Sequence, residues 1–553
     1  MSVVKETGDM RKLQGRSISH GLAAGKAFVY RDILYRDHER YDILNAEIEE
    51  EYARFQDAIR QVLRDLRSTA QEIETEVDGA VADIFRVQEA MLLDPVLLKD
   101  VREELDTERV NAEQAVKRVF RRWEHKFRNA QEDTPGQPAD DIADLGRRLL
   151  RRLIGIHAHT LEDLAPASVV VARRLLPSDT VFLSRLSTEA AVLEFAGPLS
   201  HAALLTRELG VPAVSEISGL LDRVVTGDRL LVDGNSGAVI VNPDEETAAR
   251  FETELAKQHA AGLEARKRRH EAAKTADGIV IDVSANVSCR EDVESAVANG
   301  AEGVGLYRIE GAYLSRLSPP SEDEILGQLE HALEPMKGKS IVLRLLDAGA
   351  DKELPFMSLP SEPDPFLGRR GVRLLLAYPE LLTPQLHALL RLSQTCPVRI
   401  LVPMVTLAGE MVRIRQALKE ASHKLAIGSI PPLGAMIETP AAALCAAEIA
   451  SHADFLSIGT NDLTQYTMAA GRENPSVGEY FLDEHPAVWR LIQMVIEDAG
   501  ETPVSICGEL AGSSTGVELA AKSGIRALSV SPPLIPGVKD AIREMHVGKH
   551  DTI

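Results

Sequence analysis

The stretch SIVLRLLDAGADK, residues 340–352, decides the architecture of the C-terminal half. It reads as a short apolar strand that delivers Arg344 and Asp347 at its far end and Lys352 in the loop beyond. Seven further segments have the same character: GIVIDVSA (278–285), GVGLY (303–307), VRILVPMV (398–405), LGAMIE (433–438), FLSIG (455–459), PVSIC (503–507) and ALSVS (527–531). Helical patterns separate them. Eight such units across residues 276–553 fit a (β/α)8 barrel, whose usual size is about 250 residues. An open doubly wound sheet is the alternative, and the lack of a GxGxxG turn after any strand weakens it.

A parallel barrel carries its active site at the C-terminal ends of its strands. At those ends the sequence offers Arg308 and Glu310, Arg344, Asp347 and Lys352, Glu438, Thr460, Asn461 and Asp462, then Arg472, Cys507 and Glu509. Arg308, Arg344, Arg472 and Lys352 suit a phosphate and a carboxylate, because guanidinium meets both oxyanions with two parallel bonds. Glu438 and Asp462 are hard oxygen ligands on neighbouring strands, and Mg²⁺ takes one or two carboxylates together with substrate phosphate oxygens. Cys507 has two readings: a buried small apolar residue, or a proton donor or acceptor beside the arginines.

Upstream the pattern differs. QGRSISHGLAAGKAFVYR (14–31) ends in a short β-like run. From about 45 to 155, apolar stripes at spacings of three and four (Tyr52, Phe55, Ile59, Val62, Leu66; Ile84, Val87, Met91, Leu92; Val116, Val119, Phe120, Trp123, Phe127; Leu145, Leu149, Leu150, Leu153) predict an antiparallel helical bundle. Its chain breaks at Asp94-Pro95, and EDTPGQPADD (132–141) reads as a loop. SVVVA, AVLEFA, RLLVD and AVIVN, between 165 and 242, predict a compact α/β domain. The Ala-, Glu-, Lys- and Arg-rich stretch 243–275 predicts a long connecting helix.

GPLSHAALLTRELGVPAV (197–214) carries His201 with no acid close in sequence. Ser200 is a good N-cap and Gly210 a good C-terminal stop, which puts His201 in the first helical turn. A helix N-terminus keeps imidazole neutral and welcomes an anion placed upon it. The ring is thus suited to phosphorylation, although a surface histidine beside a cap fits the same residues.

The composition bounds the rest. The chain has 553 residues and a net charge of -22, with 84 acidic against 62 basic side chains, which argues against a nucleic-acid or membrane-surface binder. Cys289, Cys396, Cys445 and Cys507 show no C-x-x-C pairing, so neither a zinc site nor a disulfide framework is expected. No apolar run reaches the about 20 residues a membrane span takes, and the N-terminus shows no apolar leader. The chain reads as cytoplasmic.

The motifs LLDAGADKELPF (345–356), PMV (403–405), MIETPAAA (436–443), SIGTNDLTQYTMAAGR (457–472) and CGELAG (507–512), with DPVLL (94–98) and NAEQAV (111–116), resemble Enzyme I of the bacterial sugar phosphotransferase system, the phosphoenolpyruvate–protein phosphotransferases. The likeness runs from about residue 14 to the end. Pyruvate,phosphate dikinase and phosphoenolpyruvate synthase share the barrel and the histidine domain, but also need an ATP-grasp domain for which this chain has no segment. The resemblance implies a swivelling phosphohistidine domain (1–32 and 151–242), an inserted helical subdomain that docks the acceptor HPr or an HPr-like protein (33–150), a linker helix (243–275) and a phosphoenolpyruvate-binding barrel that also forms a homodimer (276–553). It implies His201 as phosphocarrier, Arg207 beside it, and Arg308, Arg344, Lys352, Arg370 and Arg472 around the substrate. It further implies Asn461 on the phosphate, Mg²⁺ on Glu438 and Asp462, and Cys507 as the donor that protonates the enolate to pyruvate.

The chain departs from the family in AGPLSH, where Ala196, Pro198 and Leu199 replace Gly, a variable residue and Thr. It departs again at Ile309, Gly311-Ala312 and Arg369. A divergent member is the leading expectation, with a phosphoenolpyruvate-sensing regulator of weak or lost transfer as the alternative.

Overall fold

The computed structural model describes residues 10–30, 33–35, 41–76, 88–89, 91–130, 137–155, 164–165, 167–176, 179, 188–195, 206, 210–313, 316, 318–349, 354, 356–357, 359–360, 362–471 and 475–548. The chain divides into two compact units, residues 1–259 and 260–553.

The first unit holds a mixed sheet and a set of long helices. The strands are β1 (Arg11–Gln14), β2 (Arg16–Ser19), β3 (Leu22–Tyr30), β4 (Ser168–Ala172), β5 (Thr188–Leu193), β6 (Ala213–Ser215), β7 (Arg229–Asp233) and β8 (Ala238–Val241). Their order is β1-β8-β7-β3-β4-β5-β6-β2, with β3, β4, β5 and β6 mutually parallel. All five residues of β4, SVVVA, are buried, as expected of an apolar run covered on both faces. The expected strand AVLEFA is shifted toward its N-terminus. Strand β5 ends at Leu193, and Glu194 turns away to accept the Gly219 N–H at 2.9 Å.

Three helices carry predicted stripes, α1 (Ile48–Glu76), α3 (Ala112–Ala130) and α4 (Gln137–Ile154), and a helix no stripe announced, α2 (Pro95–Glu108), begins at the expected break. Asp94-Pro95 is a helix start. The Asp94 carboxylate accepts the Val96 N–H at 2.7 Å, and Pro95 occupies the first turn, where no N–H is needed. The loop expected over EDTPGQPADD is shorter than the sequence suggested. Its second half, from Gln137, is already the first turn of α4, because a proline near a helix start costs no internal hydrogen bond. Phe55, Val62, Leu66, Val101, Val119, Phe120, Leu145 and Leu149 meet in one core. Ile84 and Val87 lie outside the described residues.

The connecting helix predicted over 243–275 is α5 (Glu245–Lys267), shorter than expected: the chain leaves the helix after Lys267, and Lys274 bridges antiparallel to Val280. The second unit is a closed parallel barrel, which removes the open-sheet alternative. Its strands are β9 (Asp282–Val287), β10 (Val304–Arg308), β11 (Ile341–Arg344), β12 (Val398–Val402), β13 (Leu433–Ile437), β14 (Phe455–Ile458), β15 (Val504–Ile506) and β16 (Ala527–Val530). They pair in sequence order, and β16 closes on β9 with Leu528 opposite Val283. Leu306, Val342, Leu401, Met436, Phe455 and Cys507 fill the interior. No helix of the described residues is long and apolar enough to cross a membrane.

Candidate active site

The polar side chains gather at the C-terminal ends of the barrel strands. Arg308 closes β10 and Arg344 closes β11, opposite each other in the parallel register. Glu438 follows β13 directly, and Cys507 follows β15. Thr460, Asn461 and Asp462 open helix α6 (Thr460–Met468) immediately after β14. Arg370 comes from the loop after β11, ahead of the short helix Val372–Ala377.

These residues form a connected ionic network. The Arg370 guanidinium donates to both oxygens of Asp347 at 3.0 Å each and to both oxygens of Asp462 at 2.8 and 3.2 Å. Arg344 donates to Glu310 and lies 3.4 Å from Asp347. Glu438 is buried and accepts the Met404 N–H at 2.5 Å. Asn461 and Glu509 pair reciprocally, the Glu509 N–H donating to Asn461 Oδ1 at 2.8 Å. Arg308 alone of the three described arginines is exposed.

Among the described residues, charge within the network is unbalanced: the guanidiniums of Arg344 and Arg370 stand among four carboxylates, Glu310, Asp347, Glu438 and Asp462. Burial, then the charges of Asp462 and Asp347, push the Glu438 carboxyl up to about 8, against the opposing pull of Arg344 and Arg370. A cation beside Glu438 and Asp462 would relieve that repulsion. No group of three or more His, Cys, Asp or Glu side chains suited to a metal occurs among the described residues. A pair of carboxylates fits Mg²⁺ that completes its shell with substrate oxygens and water, and does not fit an all-protein cage.

Cys507 is buried in the barrel interior, its Sγ 3.5 Å from the Ile458 carbonyl oxygen. Burial pushes the thiol up to about 11, with Glu438 adding to the shift and Ser457, Arg344 and Arg308 opposing it. The group therefore holds its proton at neutral pH, so it is an acid and not a standing thiolate. All four cysteines are free.

His201, Arg207, Lys352 and Arg472 lie outside the described residues, as do Ala196, Pro198 and Leu199. Of the helix expected around His201, only its end is described. Gly210 takes φ +64° and the Val211 N–H donates to Thr206 O at 2.8 Å, the bond that closes a helix on a left-handed glycine. Sequence reasoning noted Asp347 and Glu310 at strand ends but gave them no task. Asp347 stands between Arg344 and Arg370, and Glu310 accepts from Arg344 and from the Asp347 N–H, pairings across as many as 37 residues that no spacing reveals. Met404 was missed as well. Its signal lay in the quoted PMV motif.

The family models agree with this layout. The model for the PEP-binding domain of PEP-utilising enzymes matches residues 263–547, the N-terminal model residues 14–134 and the mobile-domain model residues 164–237. A phosphoenolpyruvate-protein phosphotransferase from Bacillus sp. (strain S) is 36% identical over 97% of this chain and 93% of its own length. The protein of that name from Geobacillus stearothermophilus is equally similar, at 36% with the same coverage. That from Bacillus subtilis (strain 168) is 34% identical over 97% of this chain and 95% of its own. An NMR solution structure of Enzyme I (nEIt) aligns with 45% of this chain and 99% of its own at 30% identity, with a TM-score of 0.36. The barrel and its site define a phosphoenolpyruvate-using enzyme. The chain belongs to the phosphoenolpyruvate–protein phosphotransferase family, the Enzyme I proteins.

Proposed function

We propose that the chain phosphorylates its own His201 from phosphoenolpyruvate and then passes the group to a histidine of HPr or an HPr-like carrier. Arg308, Arg344, Lys352, Arg370 and Arg472 bind the carboxylate and phosphate, with Asn461 on the phosphate. Glu438 and Asp462 hold Mg²⁺, which when bound draws negative charge from the phosphate oxygens. A ring nitrogen of His201 forms the N–P bond as the bridging P–O bond breaks, and that electron pair leaves with the enolate oxygen. The Cys507 thiol gives its proton to the methylene carbon, and pyruvate departs. Such transfer needs positioning and charge stabilisation more than covalent machinery.

One observation supports this reading above the others: Arg344, Asp347, Arg370, Glu438, Asp462 and Cys507, from the ends of β11, β13, β14 and β15, meet at one end of the barrel. In this scheme Arg207 supports the phosphorylated ring. Residues 1–32 and 151–242 swing as the phosphohistidine domain, 33–150 dock the acceptor, 243–275 link, and 276–553 form the barrel and a homodimer. The setting is cytoplasmic. Phosphoenolpyruvate carrying a labelled phosphate, with Mg²⁺, is expected to leave acid-labile label on the wild type and none on His201→Ala. Label retained by His201→Ala would contradict the assignment, and an unlabelled wild type would point to a sensor without transfer.

A further inference from the structure

Met404 follows the end of β12 and stands in the left-handed region at φ +56°, where side-chain-bearing residues are uncommon. That backbone turn directs its N–H at Glu438 Oε1, 2.5 Å away. The other face of the carboxylate is walled by Gly459, where an added Cβ would stand 2.8 Å from Glu438 Oε2. Next to Met404 lies Gly371, the residue after Arg370. A Cβ on Gly371 would come within 2.8 Å of Met404 Cβ, and its own φ of +57° also favours glycine. Two bonds tie the neighbouring segments: the Val372 N–H donates to Pro403 O at 3.3 Å, and the Thr439 hydroxyl donates to Val405 O at 3.4 Å. One buried, strained residue thus touches both arms of the network, the glutamate on one side and the arginine loop on the other.

We infer that Met404 is a positioning residue for the cation site, its left-handed backbone fixing the rotamer and the occupied oxygen of Glu438. The inference rests on the reading of Glu438 as a Mg²⁺ ligand. Backbone conformation carries the effect, and the thioether side chain is incidental to it. Strained backbone persists where the surroundings over-determine it, and it clusters at functional sites. A role in packing alone makes the opposite forecast: deleting the side chain would do the harm, and a branched apolar replacement would be tolerated.

Mn²⁺ binding, read from the free-ion electron paramagnetic resonance signal with phosphoenolpyruvate present, separates the two without using turnover. Met404→Gly and Met404→Asn, both at ease at positive φ, are expected to stay within about threefold of wild-type affinity. Met404→Val, branched at Cβ, is expected to weaken binding about tenfold or more. Val equal to wild type, or Gly weaker than Val, would overturn the inference. Should the Val variant melt below the assay temperature, Met404→Thr against Met404→Asn carries the same contrast. Glu438→Gln is the reference. If wild type binds Mn²⁺ no better than Glu438→Gln, the metal reading falls and the positioning role with it. If those two differ while the Met404 series is flat, only the positioning role falls.

Discussion

Two of the buried arginine–aspartate clusters among the described residues are built to different ends. In the first unit Arg147, on α4, donates to Asp179 at 2.6 Å, and the Tyr30 hydroxyl from β3 donates to the same aspartate at 2.8 Å. The Leu176 N–H adds another donor at 2.9 Å, and both charged side chains are 1% exposed or less. Among the described residues one guanidinium faces the one carboxylate of Asp179, and the cluster ties α4 to β3. At the barrel mouth, Arg344 and Arg370 stand among four carboxylates of the described residues, and burial with the charges of Asp462 and Asp347 pushes the Glu438 carboxyl up. The first cluster is placed to hold a fold together, the second to meet charged ligands.

The largest expected effect follows from breaking the unbalanced cluster. Arg370→Met is expected to lower kcat/KM for phosphoenolpyruvate about 10²–10³-fold, because a preorganised donor is lost where charge develops. Steady-state pyruvate release measures it, and a loss under tenfold would place Arg370 outside the reaction. Breaking the balanced cluster should act on stability. Arg147→Met leaves Asp179 buried without its guanidinium, at a cost of about 3–5 kcal/mol in denaturant unfolding of the first unit. Phosphoenolpyruvate binding by the barrel should stay as in wild type, and a marked loss of it would erase the distinction.

A smaller effect concerns Cys507. Its raised thiol pKa extends the protonated plateau upward, so a proton donor of this kind stays loaded as pH rises from 7 to 9. Alkylation by iodoacetamide at pH 8 should therefore modify exposed Cys445 first and leave Cys507 nearly untouched. Peptide mass mapping reads the order, and early modification of Cys507 would contradict the buried acid.

The same contrast explains what the sequence made legible. All eight barrel strands left an apolar run, most of them because strands covered on both faces are nearly continuously apolar; β9 begins only at Asp282, inside the run GIVIDVSA, since DVSANV buries alternate residues. Strands β1 and β6 were not, since RKLQ buries only Leu13 and AVS is three residues long. In the site, residue types at strand ends were enough to nominate Arg308, Arg344, Glu438, Asp462 and Cys507. The Arg370–Asp462 pair spans 92 residues, and the left-handed turn at Met404 is a property of the backbone. Neither leaves a periodic trace.

The central claim is that Glu438 and Asp462 at the barrel mouth bind a cation together with an anionic substrate. Calorimetric titration of phosphoenolpyruvate into the intact protein, with and without Mg²⁺, tests it directly. Mg²⁺ should tighten binding at least about tenfold in the wild type and leave Glu438→Gln unchanged. Equal affinity with and without Mg²⁺ in the wild type would contradict the account.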